Sequence, residues 1–272
     1  MTSAQKVIKY LAIAFASFLV VAIITGILSA FYALSGVLGL KKNNEISSGE
    51  MSMANFENTE INTLDIEVAY TNLTIKTGDY LSTETNNKYI SLSQENQELK
   101  IKDKSHKWFS INENQELIVY IPESLELEKV RIIAGAGKIN IENLKTESLV
   151  FELGAGETEI KSLTVTKDCD IEGGAGKVSI TFGIINNLNL DMGVGETNLN
   201  TILTGKNEIN AGIGNLNIKL KNNKENYRIK TDKGIGTIKI DGKEISNGEV
   251  YGNGSNIIDV DGGIGNIEID FE

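Results

Sequence analysis

In the second half of the chain, apolar and polar residues alternate, and the alternation is itself repeated. Seven motifs carry it: GAGKINI at Gly135, GAGETEI at Gly154, GAGKVSI at Gly174, GVGETNL at Gly193, GIGNLNI at Gly212, GIGTIKI at Gly234 and GIGNIEI at Gly263. Successive copies lie 19, 20, 19, 19, 22 and 29 residues apart, so the last two steps are the same unit with insertions. Apolar columns appear when the copies are aligned. Five residues before the first Gly stand Val130, Leu149, Cys169 and Leu188, and three before it Ile132, Phe151, Ile171, Leu190 and Ile209. Ala136, Ala155, Ala175, Val194, Ile213, Ile235 and Ile264 occupy the middle of the GxG. Six residues after the first Gly the column is Ile141, Ile160, Ile180, Leu199, Ile218, Ile240 and Ile269. A period of two is the signature of strands with one buried face. The phase slips once, across the second Gly, which predicts a turn or bulge needing positive φ or close backbone approach.

A unit this short cannot bury its own apolar face, whereas stacked units bury a continuous core. The pattern therefore predicts an all-β fold: a single-stacked, β-helix-like β-solenoid of 19–20-residue coils, each with two or three short strands. Parallel ladders about 4.8 Å apart would give seven coils a length of about 34 Å. Lys138, Glu157, Lys177 and Glu196 form an outward column of alternating sign, which favours register. Residues 60–130 hold strand-like pieces without GxG, at Leu64–Val68, Leu73–Lys76, Leu99–Lys102 and Leu117–Ile121, and read as irregular first coils capping the stack. The insertion Asp241–Asn256, rich in turn residues and carrying Tyr251, reads as a hairpin or loop projecting from one edge.

The amino-terminal pattern is different. Tyr10 to Leu40 holds no charged residue, a stretch of about 46 Å as a helix against a hydrocarbon core of about 30 Å. It is too long for the apolar region of a cleaved signal, normally about 7–15 residues. The expected organisation is a cytoplasmic N-terminus at 1–9, a transmembrane anchor at 10–40, a polar linker at 41–57 and the β-solenoid at 58–272. Flanking lysines are almost balanced between Lys6 with Lys9 and Lys41 with Lys42, so the charge rule gives orientation little leverage. The expected arrangement is single-pass in a bacterial cell membrane with the β domain outside, and a cytoplasmic scaffold is the alternative.

Charge and composition narrow the chemistry. The net charge is −11, and all 37 acidic residues lie after Lys42, which argues against nucleic acid as a partner. One Cys excludes an intramolecular disulfide, and one His leaves no His-rich metal site. Cys169 falls in an inward column and reads as a small buried hydrophobe. The GxG units lack the third Gly of a dinucleotide fingerprint and recur seven times, so they read as structural turns and imply no cofactor. Calcium-binding nonapeptide repeats are excluded because Val178 and Ile267 occupy the Asp position. Glu152, Glu172 and Asp191 form an all-acid column; like charges in a ladder repel, so they splay into solvent or hold a cation. His106, Trp108 and Phe109 in KSHKWFS form a candidate aromatic contact site or an edge loop over the end of the stack. No nucleophile motif surrounds the single His or Cys, and Arg131 and Arg228 fall in separate coils, so no catalytic residues are assigned.

The run ending in KWFS, then LIVYIPESLELEKVRI at Leu117–Ile132, then the GAGKINI and GAGETEI units, resembles a bacterial β-strand-repeat family of unknown function. That family carries the label "putative adhesin" and is related to toastrack domains. The resemblance covers about residues 60–272. It implies a β-solenoid at the cell envelope, a hydrophobic anchor and the neighbourhood of envelope-stress signalling membrane proteins, and it supplies no catalytic residues. The 29-residue last step departs from it. The reading that results is a non-enzymatic envelope-binding or scaffold module contacting a protein or polysaccharide, with Glu152, Glu172, Asp191, His106, Trp108, Phe109 and Tyr251 as candidate contacts. Its rivals are an adhesin for host or matrix ligands and a glycan-active enzyme.

Overall fold

In the computed structural model, residues 51–56, 60–104, 115–232 and 234–272 are described. They are almost entirely β, with a single turn of 3₁₀ helix at Lys224–Asn226. The predicted anchor at 10–40 lies outside the described residues, and among those described no helix is long and apolar enough to cross a membrane.

The repeats stack as parallel rungs. Each regular rung has a first face ending at the GxG corner, a second face after it, and a short third face leading to the next rung. In residues 148–165 these faces point Leu149 and Phe151, then Thr158 and Ile160, then Leu163 and Val165 into the core, all nearly inaccessible. The columns continue through Cys169 and Ile171, Ile180, Ile185, Leu188 and Leu190, and Leu199. Burying stacked aliphatic columns provides about 25 cal/mol per Å² of apolar surface, the main force holding the rungs together.

The GxG corner explains the phase slip. At Gly195 φ is +143°, a region that an L side chain rarely adopts. A Cβ there would also lie well inside van der Waals contact of the carbonyl oxygen of Gly176 one rung below. The corner also corrects the expected burial of the middle residues. These point outward: Val194, Ile213, Ile235 and Ile264 are between 42% and 55% exposed. The residue before the first Gly takes the inward corner position instead, as Ala134, Leu153, Met192 and Ala211 do.

Spatial order departs from chain order at both ends. The last strand, Ile264–Phe271, pairs in parallel with Ile213–Leu220 on one side and with Ile235–Ile240 on the other. Asn256–Asp261 likewise lies between Lys206–Asn210 and Tyr227–Asp232. The chain therefore builds the outermost rung first and returns to fill the gap beneath it. The amino-terminal end does the reverse. Thr63–Val68 and Asn72–Thr77 lie between Lys129–Ile141 on the inner side and Glu98–Asp103 with Glu116–Ile121 on the outer side. Nine rungs result, a stack of about 38 Å at 4.8 Å per step.

Antiparallel pieces close the outer rungs. Ile90–Glu95 lies on Glu98–Asp103, Ser82–Thr85 on Glu116–Ile121, and Ser52–Asn55 on Ser82–Thr85. The last part of the segment read as linker is thus an edge strand; its four mostly exposed residues give no buried periodicity to read. The insertion Asp241–Asn256 does not project. Its strands Lys243–Glu244 and Val250–Tyr251 fold antiparallel onto the outermost rung, and Ile245 is buried beneath them.

Candidate binding surface

Strict register sets side chains of equivalent rungs one above another, so the surface consists of columns. The alternating-sign column is realised: Lys138, Glu157, Lys177 and Glu196 are register partners, with Lys138 3.3 Å from Glu157 and Lys177 3.9 Å from Glu196. These pairs are exposed and contribute little energy.

On the first face the acidic column forms as expected, with Glu172 in register between Glu152 and Asp191. It continues past those three residues. Asp191 aligns with Asn210, Asn210 with Asp261, and Asp261 with Asp232. Asp232 and Asp261 stand two residues before the first Gly of their motifs, as Glu152, Glu172 and Asp191 do, and the returning strand sets Asp261 between Asn210 and Asp232. Glu152 differs from the rest, because Arg131 Nη2 reaches its Oε1 at 3.4 Å. Arg131 also donates to Asp65 at 3.0 Å and Glu67 at 3.1 Å, and Lys102 donates to Glu67 at 2.9 Å. The Lys102 hydrogen bond, reinforced by Arg131 and opposed by partial burial, holds the Glu67 carboxyl below its ordinary range. Glu152 thus belongs to a structural ion-pair cluster.

Beyond this cluster the carboxylates have few countercharges. Asn210 Nδ2 donates to Asp191 at 2.5 Å, and Lys230 lies 3.6 Å from Asp232. Among the described residues no basic side chain pairs with Glu172, Asp191 or Asp261. An open groove of about 290 Å³ runs here between Glu208, Asn210, Lys230, Asp232, Asp259 and Asp261. Among the described residues no three acidic, His or Cys side chains converge as a metal site.

Beside this column, around the corner, runs the ridge of GxG middle residues. Its spatial order is Ala136, Ala155, Ala175, Val194, Ile213, Ile264, Ile235. The flanking glycines have no side chains to cover it. The ridge changes from Ala to Val and Ile from the rung of Asp191 onward.

The other expected contacts divide. The Tyr251 ring is half-buried and stacks on Phe271 with centroids 5.7 Å apart, so it seals the end of the stack. His106, Trp108 and Phe109 lie outside the described residues. Cys169 is buried, and desolvation pushes its thiol far above the ordinary range, consistent with a packing role.

The sequence pattern of the family described as Toastrack DUF4097 matches residues 61–256. None of the curated proteins matches the chain. Among solved structures, the chain resembles one from Bacteroides fragilis described as a "putative adhesin", at 13% identity and TM-score 0.49, over 82% of this chain and 98% of that one. It also resembles a "putative cell adhesion protein" from Clostridium sporogenes, at 14% identity and TM-score 0.40, over 82% and 99% of the two chains. A third is a "putative lipid binding protein" from Parabacteroides distasonis, at 16% identity and TM-score 0.39, over 81% and 97%.

Proposed function

The chain belongs to the Toastrack DUF4097 family, and from that premise we propose that it is a non-enzymatic binding or scaffold module of a bacterial envelope. In this reading residues 1–9 are cytoplasmic, residues 10–40 anchor the chain in the membrane, and the β-solenoid stands outside on a short linker. The observation that carries it is the in-register surface. Rigid rungs hold an apolar ridge and an acidic column side by side over several coils, an arrangement suited to an extended partner. The uncharged stretch from Tyr10 to Leu40 supports the anchor.

The test is protease shaving of intact cells carrying a C-terminal epitope tag on the full-length chain. Loss of the tag from intact cells is the expected result. A tag lost only after lysis would overturn the external placement and leave a cytoplasmic scaffold. For the enzyme alternative, incubating the full-length protein with wall and matrix polysaccharides is expected to yield no new reducing ends.

A further inference from the structure

Four aliphatic side chains, Val194, Ile213, Ile264 and Ile235, stand exposed on consecutive rungs with nothing covering them among the described residues. Beside them stack Asp191, Asn210, Asp261 and Asp232, with Glu172 on the next rung, and of these carboxylates only Asp232 has a basic partner among the described residues, Lys230. In-register like charges about 4.8 Å apart repel one another, and that repulsion is relieved by an approaching cation. The exposed apolar row favours a partner that brings apolar side chains at the same pitch.

The pitch discriminates between partners. Along the stack the ridge residues recur every 4.8 Å or so. One face of an extended strand repeats at about 6.7 Å, so a strand laid along the ridge is out of step after two side chains. Residues at alternating i+3 and i+4 positions of an α-helix advance about 5.3 Å. Over four rungs a helix drifts only about 1.4 Å, within the reach of flexible side chains. A helix of about three turns would span the four aliphatics, and its basic flank would lie over the acidic column.

We propose that the ridge Val194–Ile213–Ile264–Ile235, with the adjoining acidic column, is a docking surface for a basic amphipathic helix laid along the stack. This deepens the binding-module reading and rests on it. Charge complementarity selects this occupant. A second copy would bring an identical acidic column against the first, and the chain carries −11. An anionic lipid surface would be repelled in the same way.

The test uses the full-length chain in zwitterionic lipid nanodiscs and a fluorescent 18-residue Leu/Lys peptide with Leu at i, i+3, i+4 and i+7. A peptide of identical composition in an order without helical periodicity is the control, and empty nanodiscs give the background. The expected result is saturable binding of the patterned peptide, at least tenfold tighter than the control and weakened by added salt. Ile213→Ser/Ile264→Ser and Asp191→Asn/Asp261→Asn should each weaken it at least tenfold with unchanged thermal melting; Val194→Ser is the replacement should the first pair melt early. Equal binding of both peptides, or ridge variants that bind like the original, would overturn the proposal. So would a dimer, seen by sedimentation, that the ridge substitutions dissolve, or docking to anionic nanodiscs that they abolish. The shaving experiment fails separately, since a protected tag overturns the envelope placement and leaves the peptide measurement as it was.

Discussion

Gly214 shows how much of this fold rests on single atoms. Its φ is +139°, and a Cβ on it would lie well inside contact of the Gly195 carbonyl oxygen. Gly214→Ala is expected to cost about 3 kcal/mol or more, read from urea unfolding, because strain and a backbone clash coincide. Ala175→Ser, at an exposed middle position of the same motif, should stay within about 0.5 kcal/mol. Glu67 provides a pH test. Its carboxyl, hydrogen-bonded by Lys102 and then Arg131, is held below its ordinary range in the folded state. A depressed carboxylate contributes stability that is present above the unfolded pKa and lost as pH falls through the folded one. Glu67→Gln should therefore flatten the acid limb of the stability curve below about pH 4.5, measured by thermal melting at stepped pH. At this scale the sequence was legible where a side chain points inward in every copy, as Ile141, Ile160 and Ile180 do. It misled at the middle of the GxG, because the backbone turn at the corner directs an apolar residue outward where alternation counts it in.

The rungs and their caps were legible as elements and not in their order. Every copy offers nearly the same inward residues, so several stacking orders bury almost the same surface, and the pattern alone cannot choose between them. Asn207 helps fix the order. It occupies the inward column otherwise filled by Leu188 and Ile258, and it is fully buried. Its Oδ1 accepts from the Leu188 amide at 3.0 Å, and its Nδ2 donates to the Ile257 carbonyl at 3.0 Å. The side chain thus joins the preceding rung to the returning one. Asn207→Ala should cost about 2–3 kcal/mol in urea unfolding, because buried polar groups on both sides lose their partner. Asn207→Leu matches the apolar column and still leaves those groups unpaired, so it should not restore the loss. The insertion Asp241–Asn256 was legible as turn-rich. Its closure onto the outer rung depends on contacts of only two residues per strand, too short for periodicity to show. Tyr251→Ala removes the ring stacked on Phe271 and should cost about 1–2 kcal/mol.

For the stack as a whole, the crossed ends change how it comes apart. A solenoid wound in simple chain order exposes its last strand, and its ends fray first. Here the last strand has a neighbour on each side. Amide exchange should find Ile264–Phe271 as slow as the interior strand Val194–Thr204, with faster exchange in Ile235–Ile240 on the outermost rung. The same crossing sets the order of the acidic column, placing Asp261 between Asn210 and Asp232. The crossing also restricts how such a molecule can change size. A unit added at either terminus would have no vacant place, because the neighbouring rung is already closed over it. A 19-residue unit duplicated between Gly154 and Gly212 would meet matching neighbours above and below. Length in this architecture should therefore vary from within, in steps of about 4.8 Å, while both terminal closures are inherited unchanged.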